Sequence, residues 1–176
     1  FCISEALLGV LTGEVGVGKT VALRAAVSQL DPAAHHIVYV ANPSFGIRGL
    51  YVTIVRALGA TPRAQKAELM AQAQSLLAQA QSLLAAEEQE RRRRVVLLVD
   101  EAHLPSPEQL EELRLLTNAD MDSHCAFACL LIGQPTLRRR IKLGTFAALD
   151  QRIALRYAMP PMTPTETTGY IAHHLN

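Results

Sequence analysis

The chain reads as an α/β fold, a mostly parallel sheet with helices on both faces, and three observations predict it. Strand and helix patterns alternate along its 176 residues, as crossover-connected parallel strands require. A glycine-rich segment, Gly13-Glu14-Val15-Gly16-Val17-Gly18-Lys19-Thr20, lies between an apolar strand pattern and a helix pattern. The continuous apolar run Val95-Val96-Leu97-Leu98-Val99 ends in Asp100-Glu101, which makes it a buried strand with two carboxylates at its C-terminal end.

The first strand is expected at Leu7–Leu11, followed by a helix through Val21–Val27. His36–Ala41 is the second strand, Asn42-Pro43-Ser44 a turn, and the next helix runs through Leu58 to a closing Gly59. A third helix starts near Arg63 and contains a tandem duplication, Ala71–Leu77 repeated as Ala78–Leu84. Seven residues are close to two helical turns, so Leu69, Leu76 and Leu83 stay near one face, drifting by about 20° per repeat. This reads as a lengthened surface helix. In Glu87–Arg94 the acids and arginines stand four apart, a spacing that pairs them on a helix and leaves little net basic patch. After the Val95–Val99 strand, Ser106-Pro107-Glu108-Gln109 is a capping box with proline at the first helical position. Ala126–Ile132 reads as a strand, Pro135–Lys142 as a short helix and Ile153–Met159 as the last strand. Thr163-Pro164-Thr165-Glu166 caps a final helix.

With 49% hydrophobic residues the chain can bury one sizeable core, and no apolar run reaches the eighteen or so residues that span a bilayer. Direct membrane insertion by this segment is therefore not expected. A net charge of +1 leaves nucleic-acid binding to local patches. Of the three cysteines, Cys125 at the start of one expected strand and Cys129 within it are about 13 Å apart, too far for a disulfide. Reduced thiols and a cytoplasmic location are expected. A chain that starts at Phe1 with a strand pattern almost at once is expected to be part of a longer protein.

Gly13 to Thr20 matches the phosphate-binding P-loop at every specified position. Its glycines let consecutive N–H groups point inward at an anion, and a helix N-terminus faces the same charge. Gly13, Glu14, Val15, Gly16, Val17, Gly18, Lys19 and Thr20 are thus the candidate triphosphate-binding residues, with Lys19 reaching the β- and γ-phosphates and Thr20 offering its hydroxyl to Mg²⁺. An acidic strand end downstream is the Walker B pattern: Asp100 is the second candidate magnesium ligand, and Glu101 the group that polarises the attacking water.

Asp100-Glu101-Ala102-His103 also occurs in DEAH helicases, but the chain has no room for the second domain such an enzyme needs. The ordered series Val40-Ala41-Asn42-Pro43, Leu98–His103, Leu113–Asn118, Ile132-Gly133-Gln134-Pro135 and Leu149-Asp150-Gln151-Arg152-Ile153 resembles the AAA+ ATPases, within them the ExeA-type and TniB-type group of secretion and transposition. The resemblance implies a three-layer P-loop domain over residues 1–160 with sheet order 5-1-4-3-2, and the start of a truncated helical lid at 161–176. It implies ATP and Mg²⁺ as cofactors and a homo-oligomer, ring or filament. It places Gln134 at sensor 1 and Asn42 where a polar residue restrains the catalytic glutamate, the latter with an Asx-turn as an equal reading. Arg152 stands at the arginine finger, with a structural salt bridge as its rival and Arg156 as the nearest competing residue. The implied function is a DNA-associated regulator that activates a transposase; the alternative is the ATPase of a type II secretion assembly, with a secretion-complex protein as partner. In the first case the Arg138-Arg139-Arg140-Ile141-Lys142 cluster is the candidate surface for duplex DNA, with Leu137 and Ile141 facing the core. The sensor-2 arginine and the segment that cradles adenine in the family have no counterpart in this sequence.

Overall fold

The computed structural model describes residues 8–43, 46–75, 94–117 and 127–175. In chain order these form β1 (Leu8–Thr12), α1 (Lys19–Ser28), β2 (His35–Val40), α2 (Gly46–Ala57), α3 (66–75), β3 (Arg94–Val99), α4 (Pro107–Leu116), β4 (Ala128–Gly133), α5 (Pro135–Ile141), a 3-10 turn (Gly144–Phe146), α6 (Ala147–Arg152), β5 (Ile153–Ala158) and α7 (Pro164–Leu175). The five strands pair in the order β2-β3-β4-β1-β5, every pair parallel. Read from the other edge, this is the expected 5-1-4-3-2.

Alternation along the central strands explains the layers. Val95, Leu97 and Val99 of β3 join Val10, Val38 and Leu131 in a large core beneath α2, α4, α5 and α6, with Leu69 and Ala73 of α3 in the same cluster. Val96 and Leu98 point to the opposite face, where Leu23 of α1 packs on them together with Ala128 and Ile132. A strand buried on both sides has to read as a continuous apolar run, which is why β3 was visible in the sequence.

Both capping boxes form. The Ser106 N–H donates to Gln109 Oε1 at 2.9 Å and Ser106 Oγ accepts from the Gln109 N–H at 3.3 Å. The Thr163 N–H donates to Glu166 Oε2 at 2.7 Å, with the reciprocal bond at 3.3 Å. Hydrogen bonding to Thr163, backbone first and hydroxyl second, holds the Glu166 carboxyl below its ordinary range.

Strand limits differ from the sequence reading by one or two residues. The third helix begins at 66 rather than near Arg63. Six-residue α6 was missed outright, because one and a half turns are too short to show a helical period. The second copy of the duplication, the Glu87–Arg93 charge run and Cys125 lie outside the described residues. Cys129 is a buried free thiol.

Candidate nucleotide site

Parallel strands in register put their C-terminal ends on one edge of the sheet: Thr12 pairs with Gly133 and with Ala158, and Val40 pairs with Val99. The residues that follow those strands are therefore neighbours whatever their distance in sequence, as in other open α/β sheets. The ladder continues past the strand ends, with the Gly13 N–H bonded to Gly133 O at 3.2 Å and the Asp100 N–H to Val40 O at 2.9 Å.

The loop 13–18 turns the chain from β1 into α1. Gly18 is the N-cap of α1 at φ 88°, a left-handed conformation that side chains strain to adopt. Gly13 is needed for a different reason: a Cβ there would stand 2.9 Å from Val17 Cγ2 and 3.1 Å from Met159 O. Lys19 Nζ donates to Gly13 O at 2.8 Å and to Glu14 O at 2.7 Å, so the ammonium is held across the mouth of the loop by its own carbonyls. This also leaves it movable, since an incoming phosphate is a stronger acceptor than either carbonyl.

Thr20 Oγ1 donates to Asp100 Oδ2 at 3.1 Å, joining two residues 80 positions apart. Asp100 is 4% exposed and keeps both oxygens occupied: Oδ2 also accepts from the Tyr39 hydroxyl at 2.9 Å, and Oδ1 from the Glu101 N–H at 2.9 Å. Burial first, then the bond to Asp100, raises the Tyr39 pKa above its ordinary value. Tyr39 was missed in the sequence, where it stands as an ordinary residue of an apolar strand. Only its cross-sheet pairing marks it.

Glu101 takes φ 50°, the one positive φ among described non-glycine residues. Its carboxylate is half exposed and points into a cleft of about 580 Å³ lined by the 15–22 segment, Glu101, Gln134, Met159, Met162 and Tyr170. His103 Nδ1 lies 3.2 Å from Glu101 Oε2, near enough for an ion pair, but the buried ring nitrogen has no well-directed hydrogen-bond partner. The two are adjacent, and neither locks the other. Gln134 is the N-cap of α5 and makes no side-chain capping bond there, so its amide is available to the cleft. Asn42 follows β2 at the same edge and is exposed.

Two arginine readings separate in the structure. Arg156 is tied to Asp150, with Nη1 2.6 Å from Oδ1. Arg152 ends α6 beside Ile153, which pairs with Leu8 at the start of β1. Five residues of strand rise, about 16 Å, thus separate its level from the P-loop of its own chain. Arg140 departs from the basic cluster it was grouped with: its Nη1 and Nη2 donate to the carbonyls of His103 and Pro105, each at 2.7 Å. Arg138, Arg139 and Lys142 remain exposed, and Leu137 and Ile141 are buried as expected.

The family model described as AAA domain matches residues 3–141. The chain belongs to the AAA family. It is 36% identical over 165 residues to General secretion pathway protein A of Aeromonas hydrophila, covering 94% of this chain and 29% of that protein. The chain therefore spans less than a third of the curated relative. Among solved structures it is similar to the Aeropyrum pernix ORC2 protein in its ADP form, with TM-score 0.64 and 16% identity over 96% of this chain and 46% of that one. Cdc6p from Pyrobaculum aerophilum superposes with TM-score 0.60 at 22% identity, covering 85% and 38%. At such identities the two likenesses establish the fold. The AAA fold with an intact P-loop is a nucleotide-binding domain. Among the described residues no helix is long and apolar enough to cross a membrane.

Proposed function

We propose that this AAA domain binds ATP with Mg²⁺ and hydrolyses it as part of an oligomer. The observation that carries the reading is the convergence of Lys19, Thr20, Asp100, Glu101 and Gln134, from separate segments, on one edge of the sheet. Thr20 Oγ1 and Asp100 Oδ2, 3.1 Å apart, are hard oxygen donors suited to a magnesium ion that draws its remaining ligands from phosphate and water. That ion would supply charge neutralisation at the β- and γ-phosphates. The preference for ATP over GTP rests on the family and on the lack of a guanine-reading N-K-x-D motif in the sequence.

The loop N–H groups and the N-terminus of α1 hold the phosphates, and Lys19 turns from the Gly13 and Glu14 carbonyls to the β- and γ-oxygens. The Glu101 carboxylate takes the proton of the attacking water at an oxygen that no described donor saturates, general base catalysis worth about 10²- to 10⁴-fold. The Gln134 amide orients that water or the γ-phosphate. Asn42 is the residue that restrains Glu101 until a partner binds. Arg152, too far from its own P-loop, serves the nucleotide of a neighbouring subunit. The nucleotide domain is assigned to 1–160 and the first part of a lid to 161–176, from which Met162 and Tyr170 reach the cleft.

For the partner, the likeness to General secretion pathway protein A favours a secretion-complex protein over a transposase, and with it a cytoplasmic ATPase of a secretion assembly. Exposed Arg138, Arg139 and Lys142 keep a duplex DNA surface, and the transposition reading, in play with one arginine fewer. The activity itself is tested by two variants. Lys19→Ala should abolish ATP binding in isothermal titration, whereas Glu101→Gln should keep binding and lose phosphate release. Equal loss of binding in both would sink the role given to Glu101.

A further inference from the structure

The loop that carries Glu101 is fixed from one side by a side chain outside the nucleotide constellation. Glu101 sits in a backbone region that non-glycine residues rarely hold, and such a conformation persists only where its surroundings over-determine it. Three ties do so. The Ala102 N–H donates to Ile132 O at 2.7 Å, and the Leu104 N–H closes a turn onto Glu101 O at 2.9 Å. The third is the Arg140 fork, whose two nitrogens grip the carbonyls of His103 and Pro105 at 2.7 Å each. A guanidinium presents two parallel donors in a rigid plane, so it sets the spacing and orientation of both carbonyls at once. Close packing leaves the loop no slack: a Cβ on Gly133 would stand 3.1 Å from the His103 nitrogen.

Arg140 lies on α5, whose N-cap is Gln134. One short helix therefore carries the amide that faces the cleft at its start and the clamp on the glutamate loop near its end. We propose that Arg140 is a positioning residue for the hydrolytic step, holding Glu101 at the attacking water and fixing its distance to Gln134 through α5. The inference rests on the reading of Glu101 as the group that activates water.

The test uses Arg140→Ala, Arg140→Lys, Glu101→Gln and the Arg140→Ala/Glu101→Gln double variant, in the complete protein with ATP and Mg²⁺. Arg140→Ala should lower kcat at least tenfold while the Kd for ATP stays within about threefold. Arg140→Lys should recover part of kcat, because an ammonium reaches one carbonyl but lacks the fork. Amide exchange at Ala102 and Leu104 should quicken in Arg140→Ala, with exchange in β1 and β3 unchanged. In the double variant the loss should not exceed that of Glu101→Gln alone, since the clamp acts through Glu101. Unchanged kcat in Arg140→Ala, or losses that multiply in the double variant, would overturn the inference and leave Glu101 in place. Undiminished turnover in Glu101→Gln would overturn the functional reading and this inference together. Should Arg140→Ala fail to fold, a lowered kcat in Arg140→Lys with unaltered Kd and quickened loop exchange supports the fork, and wild-type kcat in it overturns the fork.

Discussion

Asp100 is a buried carboxylate with a hydrogen bond on each oxygen, and its three partners divide the work of holding it. Thr20 and the Glu101 N–H come from the nucleotide motifs themselves, whereas Tyr39 reaches in from β2 with nothing in its local sequence to announce it. A donor behind a metal-binding carboxylate fixes its orientation, and losing one of this kind costs about 10- to 100-fold in metal affinity where measured. Tyr39→Phe keeps the ring and removes only the hydroxyl. It should raise the Mg²⁺ concentration for half-maximal turnover by about tenfold, at the lower end of that range because Tyr39 is 41% exposed. Nucleotide affinity without metal should not move. A magnesium titration of ATPase activity decides it, and an unshifted midpoint would reduce the Tyr39 bond to packing. The contrast between Tyr39 and Lys19 shows what was legible at this scale. Lys19, Thr20, Asp100 and Glu101 are named by neighbours in sequence, and the structure brings them together. Tyr39 and Arg140 act through partners 61 and at least 35 positions away, a relation that no local spacing encodes.

At the scale of elements, tertiary ties between helices decide stability more than helix propensity does. The Tyr51 hydroxyl of α2 donates to Glu112 of α4 at 2.7 Å while the ring is fully buried, joining the two helices that cover the β2-β3 side of the large core. Burial first, and then the bond and charge of Glu112, raises the Tyr51 pKa well above its ordinary value. The proton is thus bound more tightly in the folded state than in the unfolded one, where tyrosine titrates near pH 10. A raised folded value means the stabilisation is intact below about pH 10 and is lost as pH climbs from there toward the folded pKa. Tyr51→Phe should cost about 1 kcal/mol at neutral pH through the missing bond. It should also flatten the fall in melting temperature above about pH 10 relative to the parent chain. Parallel falls in the two proteins would assign the alkaline loss to other groups. Strands and caps were readable here because each writes itself into consecutive residues: β3 as an apolar run, α4 and α7 as boxes four residues long. Helix α6 wrote nothing, being shorter than two turns, and it is the element that ends in Arg152.

For the whole molecule, the decisive geometry is that the sheet has two ends. Every residue of the nucleotide cleft follows a strand's C-terminus, while Arg152 precedes β5 at the level of Leu8. No described side chain pairs with Arg152, whereas Arg156, its nearest rival, is committed to Asp150. A partly buried guanidinium with no described partner, at the far end of a parallel sheet, cannot serve the cleft of its own chain, but it can serve the cleft of a copy stacked beside it. Charge supplied in this way to a transferring phosphoryl group is worth about 10³- to 10⁵-fold in related reactions. Arg152→Ala subunits should therefore bind ATP normally and hydrolyse little as a pure population, as should Glu101→Gln subunits for the opposite reason. In mixtures, some interfaces join an intact Arg152 to an intact Glu101, and phosphate release should reappear, with a maximum at intermediate mixing ratios. Two inactive populations have no other way to regain turnover, because each lacks a part the other holds. Mixtures that co-assemble by sedimentation and stay inactive would return Arg152 to a structural role and remove the reason for requiring an oligomer.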